Sequence, residues 1–233
     1  MADTLLSCDA LTLRVDNRTL IESLSFSVKR GEIVGILGKS GSGKTSLLKA
    51  ISGLMTPFSG SIRILGVPPS PAILSHIAFL PTASHLPSDM TATELARLFS
   101  RMFDDFDAER ATSLLRELRV NTEKKFRALS RGTQDKIRLI LTMSRRVSLY
   151  LLDEPIGKGD DVAKDYMLDL IRANKSENAS VLLATERIAD AEALLDSFIL
   201  LSEGKLEKTG DVSRIKEETA LSLDEYLKGE TSC

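Results

Sequence analysis

Cysteine is scarce in this chain. Cys8 and Cys233, near opposite ends of the 233 residues, are the only two. That excludes a disulfide framework and a zinc ribbon, and it points to a cytosolic setting. Charge of one sign is also lacking. The 31 basic and 33 acidic residues leave a formal charge of -2. A protein that grips a nucleic-acid backbone shows a basic excess, so no nucleic-acid partner is expected. Long apolar runs are missing too. The longest candidates, such as residues 147–152, are strand-sized, far below the ~20 residues that cross a bilayer. Asp3 stands where a secretory signal carries positive charge, and no signal peptide is expected. Action at a membrane would therefore require docking on another chain's transmembrane helices. Internal repeats and low-complexity tracts are absent as well.

What is present, 42% hydrophobic residues, suffices for one large domain or a core with an inserted subdomain. Leu24, Phe26 and Val28 alternate with Ser25, Ser27 and Lys29, the period-2 pattern of a half-buried strand. Residues 33–37 are apolar throughout, which predicts a strand covered on both faces. A glycine-rich loop follows, then a helix over 44–52 that Gly53 is placed to stop. Residues 61–65 read as a strand, and Pro68, Pro69 and Pro71 as a connector. Leu95, Leu98, Phe99, Met102 and Phe103 then recur at helical spacing, as do Ala111, Leu114, Leu115 and Leu118. Residues 93–146 read as nearly all helix. Strands return at 149–152, 180–184 and 198–201, and Ala163, Tyr166, Met167, Leu170 and Ile171 mark one face of a helix among them.

Strands alternating with helices imply a mostly parallel sheet. The expected organisation is an α/β core over 1–81 and 147–218, a helical subdomain over 82–146, and a tail over 219–233. The acidic run Asp104, Asp105, Asp107 and Glu109 reads as a solvated, capped helix start. Arg145 and Arg146 read as structural cations at a helix C-terminus, where they complement the dipole. Cys8 reads as a small buried hydrophobe.

The chemistry concentrates in two stretches. Gly38-Lys39-Ser40-Gly41-Ser42-Gly43-Lys44-Thr45 matches G-x-x-x-x-G-K-[ST], between a strand and a helix as that motif requires. Its glycines let backbone N–H groups turn inward around phosphate oxygens, helped by the helix N-terminus that continues through Ser46. Lys44 is placed to reach the β- and γ-phosphates, and the Thr45 hydroxyl to ligate Mg²⁺. Residues 149–154, Leu-Tyr-Leu-Leu-Asp-Glu, form an apolar strand ending in two carboxylates. Asp153 is expected in the Mg²⁺ shell, and Glu154 is expected to polarise the attacking water. This strand is expected to lie beside the strand that feeds the loop.

Leu129-Ser130-Arg131-Gly132-Thr133 resembles the LSGGQ signature of the ABC (ATP-binding cassette) ATPases. The order of loop, signature and Asp-Glu strand is also that family's order. The resemblance implies a P-loop NTPase core with a mostly parallel sheet, an antiparallel β layer and a helical subdomain. It implies ATP and Mg²⁺ as ligands and a head-to-tail dimer with a second ABC ATPase chain, identical or different. In that dimer Ser130 and Gly132, flanking Arg131, would contact the γ-phosphate of the partner's nucleotide. Asp160 would lie in the loop that crosses the dimer interface. The helical subdomain would receive a separate transmembrane permease, placing the chain on the cytoplasmic face of the membrane. The segment Phe103-Asp104-Asp105-Phe106-Asp107, with Arg131, is similar to a bacterial exporter subgroup.

Against that pattern the chain departs at several positions. Val15 aligns with the adenine-stacking aromatic, Thr82 with a glutamine, and Arg131 and Thr133 replace signature residues. Glu186 aligns with the switch histidine. His76 and His85, both upstream of the signature, are the only histidines, so none can fill that role. A histidine can donate a hydrogen bond to a γ-phosphate, whereas an ionised glutamate only accepts. The expectation is a chain that binds ATP well and hydrolyses it slowly at its own loop; the alternatives are a non-catalytic, regulatory subunit of a heterodimer and a soluble ABC ATPase outside transport.

Overall fold

The computed structural model of the chain describes residues 4–84, 86–119, 121–156 and 161–230. The expectation placed on Asp160 falls outside them, as do His85 and Cys233.

The chain opens with a long hairpin, β1 (Thr4–Val15) and β2 (Arg18–Lys29). β3 (Ile33–Leu37) runs into α1 (Lys44–Ile51), and β4 (Ser59–Ile64) returns to pair antiparallel with β1. The proline-rich connector holds one helical turn, α2 (Pro71–Leu74), started by the Ser70 cap and by Pro71 at its first position. β5 (Ile77–Leu80) precedes the helices α3 (Ala92–Met102), α4 (Ala108–Glu117) and α5 (Arg131–Met143). Then come β6 (Leu149–Asp153), α6 (Asp161–Asn174), β7 (Ser180–Thr185) and the short α7 (Ile188–Ala191). β8 (Ser197–Ser202), β9 (Lys205–Asp211), α8 (Val212–Thr219) and α9 (Leu223–Glu230) complete the order.

Two sheets result. The antiparallel one has the order β2-β1-β4. The other has the order β5-β6-β7-β3-β8-β9, parallel apart from the charged edge strand β9. The parallel strands read as continuous apolar runs because both of their faces are covered. In β6, Leu149 and Leu151 pack toward α1 and the antiparallel sheet, while Tyr150 and Leu152 pack toward α3, α5 and α6. In β7, Leu182 and Ala184 take the first side and Val181 and Leu183 the second. α1 therefore lies between the two sheets, with Leu47, Leu48 and Ile51 fully buried. Cys8 is buried in this core as a small hydrophobe would be, and burial pushes its thiol pKa up to about 12.

Two expectations need correction. β6 is not beside β3, because β7 lies between them. Residues 93–146 are also less helical than their periodicity suggests. α4 ends at Glu117, Arg119 just beyond it takes a left-handed φ of 52°, and among the described residues only a short 3₁₀ turn (Phe126–Ala128) precedes the α5 cap.

Arg145 does more than complement a helix dipole. Its guanidinium is buried and grips Asp105 with two bonds, Nε to Oδ1 and Nη2 to Oδ2, each 2.8 Å. It also donates to the Ile77 carbonyl at 2.8 Å and the Ser75 carbonyl at 2.9 Å, and stacks 4.0 Å from the Phe103 ring centroid. Asp107 in the same acidic run caps α4 and pairs with Arg146. Asp105→Ala would strand a buried charge, so we expect it to destabilise the fold by about 3 kcal/mol in chemical denaturation. Pairing it with Arg145→Met should recover part of that loss.

Candidate nucleotide site

The phosphate loop spans residues 38–43 and could be built only with glycine at its two ends. Gly38 has φ 148°, and a Cβ there would lie 2.3 Å from the Leu201 carbonyl oxygen. Gly43, at φ 106°, would place a Cβ 2.6 Å from Ile21 Cδ1 and 2.9 Å from the Leu20 carbonyl oxygen. Side chains at either position would push the loop off the hairpin and the sheet. Between them, Ser40 and Gly41 line the cleft, while the buried Ser42 hydroxyl makes no hydrogen bond.

Lys44 folds back over this loop. Its ammonium donates to the Gly38 carbonyl at 2.7 Å and the Lys39 carbonyl at 3.0 Å. Burial lowers its pKa, and the nearby carboxylates Glu154, Glu186 and Asp153 oppose that shift. Thr45, one residue on, donates its hydroxyl to Asp153, 2.9 Å from Oδ2 and 3.1 Å from Oδ1. β7 separates the strands, yet the loop crosses the carboxyl end of β7 to reach the end of β6. Thr82 donates to the same Asp153 Oδ2 at 2.7 Å. Short as it is, this side chain reaches the carboxylate directly. Asp153 is thus buried with two hydroxyls around it, an all-oxygen donor set of the kind that Mg²⁺ prefers.

Glu154 sits just beyond the strand in a left-handed conformation, φ 49°. Its own N–H donates to the Ala184 carbonyl at 2.9 Å, and its carboxylate is clamped from β7. The Thr185 hydroxyl donates to Oε2 and the Glu186 N–H to Oε1, each at 3.0 Å. Burial pushes the Glu154 pKa up; the Thr185 bond and Lys44 pull against it, and the Glu186 charge adds to the rise. Glu186 is exposed and lines the same cleft as Lys44 and Glu154.

That cleft encloses about 680 Å³ and extends from the hairpin to the start of α5. Ser130 caps α5, accepting from the Thr133 N–H at 3.3 Å, and Arg131 and Gly132 open into the cleft. At the hairpin end Arg18 and Leu20 form the wall, no aromatic side chain lines the cleft among the described residues, and Val15 is exposed at the end of β1. Lys164, Arg187, Asp135 and Arg138 also line it and were not singled out from the sequence. For Arg138 a signal existed: one arginine inside the otherwise apolar, buried stretch 137–141. A second hollow, about 650 Å³ and mostly apolar, opens between β5, α2 and α3, walled by Leu74, Phe79, Leu86, Phe99 and Phe103.

A parallel sheet, a glycine loop at a helix N-terminus, and a strand-end aspartate hydrogen-bonded to the loop's threonine define a phosphate-loop nucleoside triphosphatase. The chain belongs to the ABC transporter family, whose sequence model matches residues 21–157. It is similar to ABC transporter ATP-binding protein YtrB of Bacillus subtilis (strain 168), 29% identical over 89% of this chain and 72% of that protein. SkfA peptide export ATP-binding protein SkfE from the same organism is 30% identical, over 85% of each chain. A solved structure described as an ATP binding subunit of an ABC transporter superposes with a TM-score of 0.85 at 30% identity, over 96% of this chain and 98% of that one. The chain is an ATP-binding subunit of this family, and its reaction is ATP hydrolysis.

Proposed function

We propose that this subunit drives a separate permease and that its own ATP site turns over slowly. The observation that carries the site assignment is the Thr45 to Asp153 contact, which joins the phosphate loop to the acidic strand end beside Lys44 and Glu154. Residues 38–46 hold the triphosphate through backbone N–H groups and the Lys44 ammonium. Thr45 and Asp153 would hold Mg²⁺, which would supply positive charge to offset that of the triphosphate. Glu154, fixed by Thr185 and the Glu186 N–H, accepts a proton as water attacks the γ-phosphorus in line, and ADP leaves with no covalent intermediate. Glu186 brings a second carboxylate to this cleft, where a donor to the γ-phosphate would speed the step.

Ser130, Arg131 and Gly132, at the exposed N-terminus of α5, are suited to close over the nucleotide of a second ATPase chain. A heterodimer reconciles an intact Glu154 with Glu186 at the switch position, because this chain's signature would then complete a faster site on its partner. The apolar hollow between β5, α2 and α3, on the border of the helical insertion 82–146, suits an amphipathic helix of the permease. No described helix is long and apolar enough to cross a membrane. On this reading the permease supplies the membrane path and this chain docks on its cytoplasmic side. Steady-state Mg-ATP hydrolysis by the purified chain, with Lys44→Ala as the blank, tests the reading. Binding with weak turnover supports it; family-typical rates from the chain alone would sink the slow-site assignment.

A further inference from the structure

The nucleotide cleft and the apolar hollow are separated by the segment that follows β5, and one side chain lines both: Arg138 of α5. It is only 9% exposed. Its Nη1 donates to Asp135 Oδ1 at 3.0 Å, and its Nη2 donates to the Pro81 carbonyl. The next residue, Thr82, donates to Asp153 Oδ2. Packing alone does not call for a guanidinium here. Neighbouring α5 positions Ile137, Leu139, Ile140 and Leu141 are apolar and fully buried, and a methionine would fill similar space without desolvating a charge. What an arginine adds is a rigid fork that engages Asp135 and a main-chain carbonyl at once.

We propose that Arg138 is a positioning residue for the metal site. By pinning the Pro81 carbonyl it fixes the backbone that aims the Thr82 hydroxyl at Asp153, and so sets the geometry of the carboxylate shared with Thr45. This rests on the reading of Asp153 and Thr45 as the Mg²⁺ holders. Outer partners of metal ligands act in this way, and their loss typically weakens metal affinity about 10–100-fold.

The test is binding of a fluorescent ATP analogue to the purified chain, first in EDTA and then across a Mg²⁺ titration. The variants are Arg138→Met, Arg138→Lys, Thr82→Val, the Arg138→Met/Thr82→Val double, and Asp153→Asn. Arg138→Met should keep its EDTA affinity and need about tenfold more Mg²⁺ to reach half of the metal-dependent gain. Thr82→Val should match it. The double variant should be no worse than either single, because both act through one linkage. Arg138→Lys, with one donor still able to reach the carbonyl, should recover part of the shift. An unchanged Mg²⁺ midpoint in Arg138→Met, with Asp153→Asn shifted, overturns the positioning role and leaves the metal site standing. An unchanged midpoint in Asp153→Asn overturns the metal site itself and the proposal with it. If Arg138→Met melts early or loses EDTA affinity, Thr82→Val decides, and an unchanged midpoint there is fatal to the linkage.

Discussion

Glu154→Gln is expected to lower steady-state ATP turnover by about 10²–10⁴-fold, the usual worth of a positioned general base, while leaving nucleotide binding intact. Glutamine matches glutamate in size, and its amide oxygen can still accept from Thr185 or the Glu186 N–H, so the local backbone should hold. What it cannot do is take a proton from water. Lys44→Ala should fail differently, through the loss of phosphate affinity. The pH dependence adds a second check. Burial raises the Glu154 pKa above its ordinary 4.5. The ionised form is the base, so kcat/KM should fall as pH drops through that raised pKa, and the acid limb should sit above 4.5. The residual activity of Glu154→Gln should lack that limb. A Gln variant with undiminished turnover would move the base elsewhere.

What could be read from the sequence was what is local. The strand at 33–37, the loop, the helix from Lys44 and the acidic strand end declare themselves by motif spacing and by apolar runs, because each carries its mark within one short stretch of sequence. Strand order does not. β7 inserts between β6 and β3 although it follows both in the chain, and nothing in a period-2 pattern records which neighbour a strand will choose. Arg145 looked like a dipole partner because its actual partners, Asp105, Ile77 and Ser75, lie 40 to 70 residues away. Arg138 stands out as a lone arginine in an apolar stretch, but its role does not, because its carbonyl partner, Pro81, is 57 residues upstream. Thr82 was visible as a departure, yet its contact with Asp153 required the fold.

Glu186→His is the other large effect expected, a gain of about 10²-fold in turnover from one added, preorganised donor at the γ-phosphate. Glu186 is exposed and follows β7, so the substitution should not disturb the core. Its hydrogen bond to Glu154 is made by the main-chain N–H, which a histidine keeps. The exchange changes two things at once. It removes a carboxylate whose charge raises the Glu154 pKa, and it supplies a donor that an ionised glutamate lacks. Glu186→Ala separates them, since it removes the charge and adds nothing. A histidine variant faster than the alanine variant assigns the deficit to the missing donor. Equal gains assign it to repulsion, and the acid limb of kcat/KM should then move to lower pH in both. If neither substitution raises turnover, the slow site has another cause and Glu186 is not the residue that limits it.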